Sequence, residues 1–68
     1  MQNVRSQSIL KQARAFLENN QLSEAKVVCD QLCRVDKANP EAWFMLGISS
    51  KGLGLLDEAL AAFESAAR

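Results

Sequence analysis

Apolar residues recur along this chain in stripes that step by three and four, the spacing of a helix that buries one face. Val4, Ile9, Leu10, Ala13, Phe16 and Leu17 make the first stripe, and Leu22, Ala25, Val28, Cys29 and Leu32 the second. Leu56, Ala59, Leu60, Phe63 and Ala66 make the last. Between the stripes stand residues that stop and start helices. The first helix should stop near Asn19 and Asn20, because Asn tolerates the left-handed conformation that ends helices, and a turn at Asn20 and Gln21 follows. Ser23 and Glu24 suit the first turn of the second helix, where they serve unpaired N–H groups and the positive end of the dipole; that helix should fade near Val35 or Asp36. Asn39 and Pro40 open a third helix, an N-cap candidate followed by a Pro whose missing N–H costs nothing at the first helical position. It should end by Gly52 to Gly54. Ala66, Ala67 and Arg68 contain no Gly or Pro stop, so the fourth helix still reads as helix at the last residue, as in a piece of a longer solenoid.

The two halves of the chain repeat. Trp43 stands 34 residues after Ile9, and the same offset pairs Ala13 with Gly47, Leu22 with Leu56, Glu24 with Glu58, Ala25 with Ala59 and Cys29 with Phe63. Each pair is identical, small with small, or apolar with apolar. Ser23, Glu24, Ala25 and Asp57, Glu58, Ala59 are matching triplets, each directly behind a Leu. Gly54 aligns with Asn20, so one left-handed turn is supplied by two residue types able to make it.

The segment from Asn39 to Gly47, with Trp43, Leu46 and Gly47 followed by Ala59, Phe63 and Ala66, resembles the tetratricopeptide repeat (TPR) signature, whose period is also 34 residues. The resemblance covers nearly the whole chain and is stronger in the second half. It implies an all-α fold, an α-solenoid of two helix-turn-helix repeats made of four antiparallel helices. One domain spans residues 1–68, with a first repeat at about 6–39 and a second, C-terminally incomplete, at about 40–68. Some positions depart from the family. Gln12 stands where a Leu is usual, Lys37 where a Pro often closes the repeat, and Ser50 where an aromatic is usual. The first repeat is therefore expected to be an atypical end unit with a polar outer face, which puts the natural N-terminus near Met1.

In such hairpins small residues let backbones approach. Gly47 is expected to face Ala59 where the third and fourth helices cross, Ala13 to face Ala25 in the first hairpin, and Trp43 and Phe63 to fill the wider spaces as core rather than as a ligand cage.

The family binds its partners on the concave face lined by the first helix of each repeat. Here that face would carry Gln7, Leu10, Arg14 and Leu17 from the first helix and Glu41, Phe44, Ile48 and Lys51 from the third. Leu10, Phe44 and Ile48 would form an apolar centre rimmed by Arg14, Glu41 and Lys51, suited to a peptide or a partner helix. The competing reading is that these apolar residues only pad neighbouring helices. Relatives that clamp the C-terminal carboxylate of a chaperone use several Lys, Arg and Asn side chains on this face, a pattern absent here; Arg14 is the better carboxylate ligand of the two cations.

Composition narrows the function classes. Sixty-eight residues make one small domain at most. Eight basic residues balance eight acidic ones, which argues against nucleic acid and anionic membranes as partners. No apolar run approaches a membrane span and no leader pattern opens the chain, so it reads as soluble and unexported. With no His and no Tyr, and with carboxylates spread over polar helix faces, nothing points to an enzyme or a cofactor. Cys29 and Cys33 lack the further ligands of a metal site and read as buried, reduced thiols, which implies a reducing compartment, the cytoplasm. The expected function is a non-catalytic protein-binding module, the N-terminal part of a larger protein and too short to stand alone without cover on its open flank; self-association through the uncovered face of the last helix pair is the alternative. Arrays of this type also precede glycosyltransferase and sulfotransferase domains, which is compatible with an attached enzyme.

Overall fold

A computed structural model of the chain describes the backbone of residues 4–67 and the side chains of residues 7–67; Met1, Arg68 and the side chain of Val4, named above, lie outside these. Four helices follow one another, α1 (Val4–Glu18), α2 (Leu22–Val35), α3 (Pro40–Gly52) and α4 (Leu56–Ala67), with no strand among the described residues. Helices α1 and α2 form one hairpin, α3 and α4 a second, and α2 packs on α3 to join them. Helix α2 also reaches α4 through the ion pair of Lys26 with Glu58 (3.2 Å). None of these helices is long and apolar enough to cross a membrane.

The punctuation acts as the residues dictate. Asn20 at φ 59° and Gly54 at φ 81° are the two left-handed residues. At the first turn the Gln21 N–H donates to the Phe16 carbonyl (2.8 Å) and the Asn20 N–H to that of Leu17 (3.1 Å). At the second, the Leu55 N–H donates to Ser50 (2.8 Å) and the Gly54 N–H to Lys51 (3.0 Å), the same pair of bonds. Both turns are therefore Schellman motifs, which satisfy carbonyls that a helix end leaves open. At the start of α3, Asn39 Oδ1 accepts from the N–H groups of Glu41 (3.0 Å) and Ala42 (3.4 Å), with Pro40 in the first helical position. The N-cap thus removes two of the four orphan donors of that helix.

One cluster of buried side chains holds the hairpins together: Ala13, Cys29, Leu32 and Ala42 are fully buried, with Cys33, Met45, Leu46 and Ala62 nearly so. Ile9, Leu10, Leu17, Val28 and Trp43 pack around it. Gly47 has a neighbour beyond the expected Ala59. A Cβ at this position would lie 2.5 Å from Cε1 of Phe63, and its three nearest atoms would all belong to that ring, so Phe63 crowds the α3 backbone at Gly47. An aromatic ring this close to the α3 backbone is possible only because Gly projects no side chain.

Candidate functional site

The face shared by α1 and α3 is set by helical spacing. Glu41, Phe44, Ile48 and Lys51 step along α3, and all four are exposed, Phe44 by 53% and Ile48 by 37%. On α1, Gln7 and Arg14 are exposed, whereas Leu10 and Leu17 are half-buried against the core cluster. The two helices contribute differently as a result. Phe44 and Ile48 offer apolar area to a partner, and Leu10 and Leu17 spend most of theirs on the fold.

Two of the rim charges meet. Arg14 Nη2 lies 3.3 Å from Glu41 Oε2, both side chains more than half exposed, and this pair ties α1 to α3 across the face. Exposed pairs of this kind stabilise by about 0.2–1 kcal/mol. Only Nη2 of Arg14 is used in this pair, which leaves its other N–H groups open to solvent. Lys51 forms no such pair.

Phe44 has a neighbour that the spacing of α3 could not indicate. Its ring centroid lies 5.7 Å from that of Phe63 on α4, with the rings tilted by 55°. Tilted pairs at this separation add about 0.5–1.5 kcal/mol beyond their buried area. Phe63 thus links two roles, filling the space over Gly47 and supporting Phe44 from below. The apolar surface continues past it onto α4, where Leu56 is 65% and Leu60 62% exposed, with Leu53 and Leu55 at the turn less so. No large apolar side chain of α1 is comparably exposed among the described residues. Sequence reading placed Leu56 and Leu60 in a core stripe with Ala59; only Ala59 and Ala62 of α4 are buried, because α4 turns just one narrow face toward α3, the helix it packs on.

The thiols stand apart from this face. Cys29 and Cys33 are free and buried, one turn apart on α2. Burial pushes the Cys29 thiol up to about 11, against a smaller opposing effect of the Ser49 hydroxyl, and pushes Cys33 up to about 12. Both are neutral thiols near pH 7. Among the described residues no group of three or more His, Cys, Asp or Glu side chains is placed to hold a metal ion.

Over 66 residues, 97% of its length, the chain is 32% identical to Tetratricopeptide repeat protein 37 of Xenopus laevis, and it spans 4% of that protein. No family model matches it, and neither does any solved structure. The order of the helices, the 34-residue spacing of equivalent residues and this similarity match an arrangement of two helix-turn-helix repeats like those of tetratricopeptide proteins.

Proposed function

We propose that the chain is a non-catalytic protein-interaction module that holds a peptide or partner helix on the face shared by α1 and α3, centred on Phe44 and Ile48. The exposure of a supported aromatic carries this reading: Phe44 stacks on Phe63 and still presents about half its surface to solvent. A ring already held in place loses little freedom on binding, which is why aromatic anchors dominate interfaces. Leu10 and Leu17 floor the face from α1, while Arg14, Glu41 and Lys51 form a polar rim. The partner is a protein or peptide, and the compartment the cytoplasm.

Peptides selected from a random display library against the folded chain provide the test. Phe44→Ala should weaken them by about 1–3 kcal/mol and Ile48→Ala by less, with Lys51→Ala mainly changing the salt dependence. Selected peptides that bind Phe44→Ala as well as the parent chain would sink this assignment.

A second reading is supported by the unequal flanks. Leu56 and Leu60 are exposed on α4, whereas α1 presents no comparable apolar side chain among its described residues. A second copy could cover α4 with its own α4, apolar against apolar, in a closed pair. Sedimentation equilibrium of the parent chain and of Leu60→Glu separates the cases, since the charge should leave a self-associating chain monomeric.

A further inference from the structure

On the side of α3 turned away from Phe44 and Ile48, Trp43 borders a trough whose walls are α2 and α4. Toward α2 it opens into a groove of about 290 Å³ that includes Cys33, Arg34 and Lys37. Toward α4 it opens into another of about 210 Å³ that includes Ser50, Ala61 and Ala62. The indole is held in place by its Nε1–H, which donates to the Lys37 carbonyl at 2.9 Å. Both walls pack on α3, which is the floor, and the Lys26–Glu58 ion pair joins them across it.

Part of this hollow has an identifiable origin. Ser50 stands 34 residues after Phe16, so the second hairpin has a hydroxyl where the first has a ring. The Ser50 hydroxyl is buried and has no hydrogen-bond partner. Natural interiors rarely leave such a group unpaired, and it lies under the groove that runs beside Trp43.

The charges around the trough are unevenly satisfied. Its anions, Asp30 and Glu58, are both held by Lys26, each at 3.2 Å. Its cations, Arg34 and Lys37, are exposed and form no ion pair among the described residues. What remains to attract a partner is positive.

We propose that this trough binds an acidic peptide segment anchored by one aromatic side chain, the ring lodging between Trp43 and Ser50 and neighbouring carboxylates meeting Arg34 and Lys37. From Trp43 to Ser50 is roughly 10 Å along α3, a span that three or four extended residues cover. Arg34 suits a carboxylate because its planar fork donates two parallel hydrogen bonds. The site lies on a different face from that of Phe44, so either can exist without the other.

Trp43 is the only tryptophan in the chain and reports on the trough directly. The probe is a blocked peptide with one Phe among Glu residues, compared with versions carrying Ala for Phe and Lys for Glu. Only the first should change Trp43 emission saturably, with an affinity that falls as salt is raised. The double variant Arg34→Glu, Lys37→Glu, both exposed positions, should weaken it at least about tenfold. Ser50→Tyr should block it by filling the hollow, and Phe44→Ala should leave it unchanged. The proposal is overturned by an unchanged emission at saturating peptide, by binding that survives the charge reversal in a folded protein, or by binding that is lost in Phe44→Ala.

Discussion

The two hairpins solve one packing problem with opposite choices. Where α3 meets α4, Gly47 gives way to the large ring of Phe63; at the equivalent places in the first hairpin stand Ala13 and Cys29, both fully buried in the common core. One methyl added on one helix is matched by a much smaller side chain on the other. The difference teaches that the second hairpin makes room for a larger side chain on α4 by giving up the Cβ on α3, whereas the first spreads smaller side chains over both helices. Cys29 ends within the core, whereas the Phe63 ring reaches far enough to meet Phe44.

The strongest way to break the comparison is to mix the two choices. Gly47→Ala drives a Cβ to 2.5 Å from the Phe63 ring and should destabilise by about 1–3 kcal/mol, with Gly47→Leu worse and enough to unfold so small a domain. Ala13→Gly gains no such relief and should cost about 1–2 kcal/mol, through helix propensity and the loss of a fully buried methyl. Adding Phe63→Cys to Gly47→Ala copies the first hairpin into the second and should recover part of the loss, giving a coupling of about 0.5–3 kcal/mol in a double-mutant cycle by urea melting. Strict additivity would show that Gly47 and Phe63 do not share their space. Gly52 is the control. A Cβ there meets only the end of the flexible Leu22 side chain, so Gly52→Ala should be close to neutral.

How much of this was readable beforehand follows from what each residue's role depends on. The four helices and their ends were legible because Asn20, Asn39, Pro40 and Gly54 act on backbone within one turn of themselves. The face of α3 was legible for the same reason, since Glu41, Phe44, Ile48 and Lys51 share it by helical spacing alone. Contacts between helices were not. That the Phe63 ring crowds Gly47, that Arg14 meets Glu41, and that Leu56 and Leu60 stay exposed all depend on which neighbours a helix has, which a single stripe does not state. The groove beside Trp43 had a partial signal in Ser50, a hydroxyl where an aromatic is usual.

Cys29, the counterpart of Phe63, sharpens the comparison through pH. Burial holds the Cys29 and Cys33 thiols at about 11 and 12, while an unfolded chain ionises them near 9.0. The folded state therefore binds more protons above pH 9, and the stability this represents is present below that pH and lost as pH rises toward the folded values. Lys26 acts in the same sense at still higher pH, its ammonium favoured by hydrogen bonds to Asp30 and Glu58. Urea melts should be level from pH 6 to about 8 and decline above about 9, less steeply in the Cys29→Ala, Cys33→Ala variant. At pH 7 both thiols should resist Ellman's reagent until urea unfolds the chain. Rapid labelling of the folded protein would contradict the buried placement.

The smallest effect tests the turns, where the hairpins differ in residue but not in bonding. Asn20 and Gly54 hold the same left-handed conformation and the same two hydrogen bonds, and a Cβ on Gly54 would meet nothing within 4 Å. Any penalty there is thus conformational, not steric with neighbours. Gly54→Ala should cost about 1 kcal/mol, the usual preference against left-handed backbone for a residue with a Cβ, and Asn20→Ala a similar amount. Gly54→Asn should cost only a few tenths, because Asn reaches this region more readily than Ala, and Asn20→Gly should be nearly neutral. Thermal melts of the four variants should fall into two pairs, the Ala variants below the others. If Gly54→Asn melts as low as Gly54→Ala, the turns are not interchangeable, and the second hairpin needs something of Gly54 beyond its positive φ.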